Sequence, residues 1–122
     1  DAVVDWLSEQ QESHLFLSVI TLGEIRNGIE RLTDGRKRRA LENWLDNELS
    51  QRFTGRMLVV DDEVAERWGQ LSARAKTAGT ILPVLDGLIA ATALVHGMTL
   101  ITRNTSDVKM TTVPCLKPWT AC

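Results

Sequence analysis

Asp86 is the side chain best placed to do chemistry in this sequence. It is the only charged residue between Lys76 and Arg103, and it opens a helix pattern that is otherwise apolar. A carboxylate at a helix start is held ionised by the helix dipole and by free backbone N–H groups. The same position keeps it near the core and aims it at whatever lies at the helix mouth. An N-cap aspartate accounts for the residue equally well without any function. Glu24 comes second. The apolar arc of Leu22, Ile25, Ile29 and Leu32 is narrow, and Glu24 and Gly28 lie together at one shoulder of it. A shoulder acid can look into a cleft, and a glycine there lets another backbone approach closely. The commoner role for such a glutamate is a capping box, here with Thr21.

The third candidate is the segment Thr102-Arg103-Asn104-Thr105-Ser106-Asp107, which follows a predicted strand directly. Ligands of parallel α/β sheets collect beyond the carboxyl ends of strands. Hydroxyl, amide and carboxylate oxygens suit Mg²⁺ or Mn²⁺ rather than zinc. Asn, Asp, Ser and Thr also dominate ordinary turns. Asp61 and Asp62 follow a strand too, and read as helix caps. The run Arg36-Lys37-Arg38-Arg39 could meet phosphates, although such runs are commonly solvated helix faces. His14 and His96 have no companions at metal or triad spacing. A glycine-rich phosphate loop, a G-x-S-x-G elbow and a Cys/His pair are all lacking.

The elements that must position these groups follow from hydrophobic spacing. Val3, Trp6 and Leu7 predict a short amphipathic helix ending near Gln11. A strand over 15–20 precedes a helix capped by Thr21 and punctuated by Asp34-Gly35. Leu41, Trp44, Leu45 and Leu49 predict a helix over 36–51, closed by Thr54-Gly55. A strand over 57–60 leads to a helix from Asp61 or Asp62 to Ala78, ended by Gly79. Residues 84–96 form a helix apolar on nearly every side, which predicts burial. Strands over 99–102 and 113–116 complete the chain. Strands separated by helices imply a parallel sheet with helices on its faces.

The chain has 122 residues, with 14 Lys+Arg against 16 Asp+Glu and a net charge of −2. Its length predicts a single domain with a core that needs neither disulfides nor metal. The charge excludes attachment to nucleic acid by bulk positive charge, but not a local basic patch. Cys115 and Cys122 read as reduced thiols in a cytosolic protein. The longest uncharged apolar run, Leu88–Val95, is far short of the ~20 residues of a membrane span.

Individually these signals are modest; their order is specific. Ser18-Val19-Ile20-Thr21-Leu22-Gly23-Glu24-Ile25 leads into a helical hairpin. Pro83-Val84-Leu85-Asp86-Gly87-Leu88-Ile89-Ala90-Ala91-Thr92-Ala93 follows, and then Leu100-Ile101-Thr102-Arg103-Asn104. The series, over about residues 1–119, resembles the PIN-domain family, and within it the VapC toxins of the FitB-like branch. The resemblance implies one α/β domain over 1–122, a three-layer α/β/α arrangement with a central, mostly parallel sheet and a helical hairpin. It implies a metal-dependent endoribonuclease, the toxin of a type II toxin–antitoxin pair. Glu24 matches the family's glutamate on the second helix, and Asp86 its aspartate at the start of the buried helix. Asn104 or Asp107 falls where relatives place a fourth acid, and Thr102 matches a hydroxyl lining the pocket. Glu24, Asp86 and Asp107 would then ligate Mg²⁺ or Mn²⁺, with Arg103 or Arg26 assisting at backbone phosphates. A homodimer, a VapB-like antitoxin and operator DNA reached only through that antitoxin are also implied, with a cytoplasmic location and no membrane.

The chemistry agrees with the residues. Metal-assisted phosphodiester hydrolysis needs carboxylates to hold the ion and no side-chain nucleophile. One departure stands out. The family's opening strand, ending in an aspartate within a D-T-N triplet, has no counterpart here, and Asp1 and Asp5 do not match it. Either the true chain is longer or this is a trimmed fragment; for a fragment the expectation is that a principal ligand is missing, that metal binds weakly and that an apolar sheet edge is exposed. Two rival functions are a catalytically silent interaction module on the same fold, and a PIN nuclease acting on other nucleic acids.

Overall fold

The computed structural model describes residues 9–102 and 108–116. The expected opening helix lies largely outside them, and Glu9 and Gln10 are turn and bend. The chain divides into two compact units, Glu12–Val59 and one that begins at Val60.

In the first unit Ser18, not Thr21, starts the long helix. Ser18 is extended at φ −76° and ψ 141°, and its hydroxyl accepts a hydrogen bond from the Ile20 N–H at 3.1 Å. Val19 and Ile20 are thereby drawn into α1, Val19–Glu30. Thr21 and Glu24 sit inside the helix, so the expected capping box does not form. Strand β1 shrinks to Leu17–Ser18, and β2 is Met57–Leu58. They pair in parallel, Leu17 opposite Met57 and Ser18 opposite Leu58.

The helix expected over 36–51 is present with a wider turn inside it. α2, Arg36–Asn43, passes into a π-helical stretch, Trp44–Leu49, and a last α-helical turn, Ser50–Arg52. The Ser50 N–H donates to the Leu45 carbonyl five residues back, and the Ser50 hydroxyl donates to the same oxygen at 2.9 Å. Leu45 is buried to 1% exposure at this bulge. Single-turn π bulges inside α-helices are rare, and each displaces the register of the residues that follow. The basic run is also divided by the fold. Arg38 folds back on Glu42 at 2.7 Å, on Glu30 and on the Leu32 carbonyl, stapling α1 to α2. Arg36 and Lys37 stay exposed.

Glu12 closes this unit. Its carboxylate accepts two hydrogen bonds from Arg52, at 2.8 and 3.0 Å, and one from Arg56 at 3.1 Å. Both guanidiniums lie over the Phe53 ring, at 5.8 and 5.1 Å from its centre. Arg56 also donates to the Leu15 carbonyl, while its own carbonyl accepts from Leu17 N–H at 3.0 Å. One residue thus ties the entry to β1 against the start of β2. The Arg52 hydrogen bond, assisted by Arg56 and opposed by desolvation, lowers the Glu12 pKa to about 2. A lowered folded-state pKa contributes stability above the unfolded value, lost as pH falls through the folded one. The clasp is therefore at full strength above pH 4.5 and released towards pH 2. Urea denaturation between pH 6 and pH 2.5 should show wild type losing more stability than Glu12→Gln; parallel losses would show that the clasp contributes nothing.

The second unit is built on two helices. α3, Asp62–Thr77, is capped by Asp61, whose carboxylate accepts from Val64 N–H at 2.9 Å. It ends as expected at Gly79, whose φ of 72° an L side chain rarely adopts. α4 is Val84–Val95. β3, Leu100–Ile101, pairs in parallel with β4, Cys115–Leu116. The apolar character of α4 has a spatial cause. Ala91 joins Val64, Leu71, Ala75 and Leu82 on one side. Ala90 and Ala93 join Val108 and Val113 on the other, with Leu100 packed against them. Small side chains let both layers come close, and the buried Thr92 hydroxyl is satisfied within the helix by the Leu88 carbonyl at 2.8 Å. Burial is not uniform, however. The first turn emerges, with Val84 58% and Leu85 46% exposed. No helix among the described residues is long and apolar enough to cross a membrane.

Candidate functional site

Asp86 occupies the first turn of α4 but is not its N-cap. Pro83 holds that place at φ −55° and ψ 139°, has no side chain to cap with, and accepts from Gly87 N–H at 2.8 Å. Proline just outside a helix presets the chain and needs no N–H of its own. Pro83 makes no side-chain cap bond, and Asp86 carries the negative charge that the helix dipole favours there. It is half-buried, between the exposed Leu85 and the buried Gly87. A single carboxylate is thus held at the mouth of a rigid, core-packed helix.

The reason α4 begins where it does lies behind Asp86. A Cβ on Gly87 would stand 3.0 Å from Trp68 Cδ1, 3.1 Å from Trp68 Nε1 and 3.1 Å from Leu82 Cδ2. Trp68 projects from α3, one turn beyond Val64, and packs on the same core. Its indole N–H is buried and finds no acceptor among the described residues. Neither residue stood out in the sequence. The available signal was a glycine inside an apolar helix, which often marks a close approach.

The other candidates are placed as follows. Glu24 lies mid-way along α1, in the first unit, and is exposed. A Cβ on Gly28 would have nothing within 4 Å among the described residues, so no described backbone uses this glycine for close approach. Arg26 is engaged by Asp46 in an ion pair. Thr102 is half-buried, immediately after β3. Arg103, Asn104 and Asp107 lie outside the described residues. Asp61 is the cap it was expected to be, and Asp62 accepts from Glu63 N–H at 3.0 Å. Among the described residues no three His, Cys, Asp or Glu side chains cluster as a ligand set. The candidate donors are carboxylate and carboxamide oxygens throughout, a hard set whose chemistry fits Mg²⁺ or Mn²⁺ and not a softer ion.

Residues 1–109 match the family model described as the PIN domain. The chain is 36% identical over 118 residues to "VapC ribonuclease Y4jK" of Sinorhizobium fredii, covering 97% of this chain and 84% of that protein. It is 36% identical over 119 residues to "Toxin FitB" of Neisseria gonorrhoeae, covering 98% and 86%. Among solved structures it superposes on a chain of FitAB bound to an IR36 DNA fragment with a TM-score of 0.93. That match has 35% identity and covers 100% of this chain and 85% of the other.

Proposed function

Because this chain belongs to the PIN domain family, we propose that it is a metal-dependent endoribonuclease, the toxin of a type II toxin–antitoxin pair. The observation that carries this reading is the similarity along nearly the whole chain to relatives named as a VapC ribonuclease and a FitB toxin. The α/β fold agrees, and both described strand pairs are parallel. On this reading residues 1–122 act as one PIN domain.

Asp86, Glu24 and Asp107 are the proposed ligands of Mg²⁺ or Mn²⁺, with Asn104 the alternative to Asp107. The ion, when bound, supplies the Lewis acidity that makes water a nucleophile near neutral pH and offsets charge on the phosphate. The chain's own residues do the rest. Asp86 stands in the first turn of α4, a helix whose later turns pack in the core. Thr102 offers a hydroxyl donor to a phosphate oxygen, and Arg103 a guanidinium. Arg26 can serve substrate only by leaving Asp46. Partly exposed ion pairs of this kind are worth about 1 kcal/mol or less, so a phosphate can compete for it.

The partner follows from the same kinship. FitAB and VapBC neighbours are toxin–antitoxin complexes, some seen on DNA, so this chain should be neutralised by a small antitoxin that carries the pair to its operator. A homodimer is part of the same proposal. The test is cleavage of labelled tRNA, rRNA and mRNA by the full-length protein. Cleavage should need Mg²⁺, stop with EDTA and return with Mn²⁺. Inactivity on every RNA, with no Mn²⁺ bound, would favour a silent interaction module on this fold; cleavage of DNA alone would favour a nuclease of another class.

A further inference from the structure

Trp68 sits behind the residue that follows Asp86, and its placement is costly. Its N–H is buried without an acceptor among the described residues; a phenylalanine would bring no N–H to bury. The indole edge, Cδ1 and Nε1, occupies the space where any side chain at position 87 would begin. Only a glycine allows α4 to settle against the indole with its first turn at this height. Leu82, from the segment that enters α4, closes the same space from a second direction at 3.1 Å.

We propose that Trp68 is a positioning residue for Asp86, acting through Gly87: the indole is the seat on which the first turn of α4 rests. The height of that seat sets where the Asp86 carboxylate stands. A methyl at position 87 meets three atoms at 3.0–3.1 Å, so something must give by a few tenths of an ångström. Trp68 is backed by the core of Val64, Leu71, Ala75, Leu82 and Ala91. The first turn of α4 is backed by solvent at Val84 and Leu85. The first turn therefore moves, and Asp86 moves with it. Displacements of this order matter where a metal-ligating or reacting group must be held within about 0.5 Å.

This inference rests on the nuclease reading for its catalytic consequence, but not for its geometry. Three variants are compared with wild type: Gly87→Ala, Trp68→Leu and the two combined. Leucine removes both indole atoms that meet the added methyl and leaves Leu82 Cδ2, the far end of a flexible side chain, as the third. Gly87→Ala should bind Mn²⁺ about tenfold more weakly and cleave RNA about tenfold more slowly through kcat, since small misplacements carry losses of that order. The double variant should recover most of the Mn²⁺ affinity and of kcat, although its Tm falls below that of Gly87→Ala. A purely structural role predicts the opposite, with activity following Tm. Crystal structures supply a readout that needs no activity: Asp86 shifted in Gly87→Ala and returned in the double variant. Wild-type affinity and rate in Gly87→Ala, no recovery in the double variant, or an unmoved Asp86 would each overturn the proposal. Failure of wild type to cleave any RNA, with Asp86 shifting as described, would overturn the nuclease reading alone.

Discussion

Asp86→Asn is expected to lower metal-dependent RNA cleavage by at least ~100-fold while the protein stays folded. Asparagine preserves the size and shape of the side chain but removes its charge and one of its two oxygen acceptors. Changing groups that merely orient a metal ligand already costs about 10–100-fold in affinity or activity, so loss of the ligand's charge should cost more. The effect on stability should be small. Asp86 is half-buried beside the exposed Val84 and Leu85, and belongs to neither core cluster. The helix-dipole part of that loss is about 0.3–1 kcal/mol, or a few degrees in Tm. Initial rates at saturating Mg²⁺, Mn²⁺ titration and thermal melts on the same preparation separate the alternatives. An aspartate that only stabilises the helix end would give the reverse pattern, with Tm lowered and the rate unchanged. That result would remove Asp86 from the active site.

The largest effect on stability is expected at Leu71→Ala. Leu71 is 2% exposed and stands where α3 meets α4, among Val64, Ala75, Leu82 and Ala91. Truncating a buried leucine loses the transfer free energy of the removed carbons and leaves a cavity, together about 2–5 kcal/mol. For a chain of this size that corresponds to a Tm lower by roughly 10–20 °C. The neighbours cannot collapse into the gap easily, because Val64, Ala75 and Ala91 are themselves fully buried and already close-packed. Ile81→Ala provides the contrast. Ile81 is 87% exposed, and its truncation should move Tm by no more than ~2 °C. Equal shifts for the two would show that the α3–α4 interface is not what holds this unit together.

Much of this arrangement was legible beforehand because it is local. The ends of α3 were marked by Asp61 and Gly79. The passage from α4 into β3 runs through Gly97, whose φ of 65° continues no helix. Asp86 was legible as the one charge at the head of an apolar helix. Where local reading went wrong, two local signals competed. Thr21 with Glu24 offered a capping box, but Ser18 offered a cap three residues earlier, and the chain took it. Leu15 to Ile20 looked like a six-residue strand, yet only Leu17 and Ser18 pair, since Val19 and Ile20 gain more as the first turn of α1. Gly28 suggested a backbone approach that no described residue makes, whereas Gly87 is met by the side chains of Trp68 and Leu82.

The order of elements, the parallel connections, the family and the carboxylates worth testing were all readable along the chain. Each of these depends on residue types and on spacings of a few positions along one chain, and such regularities survive without a partner. Only the tertiary structure decided that Arg38 faces inward while Arg36 and Lys37 face out. It also decided that a π turn at Leu45 resets the hairpin, that Glu12 clasps Arg52 and Arg56 across forty residues, and that Trp68 stands under Gly87. These depend on which surfaces meet and at what distance, a property of two segments at once. Close packing turns differences of a few tenths of an ångström into the choice between one arrangement and another.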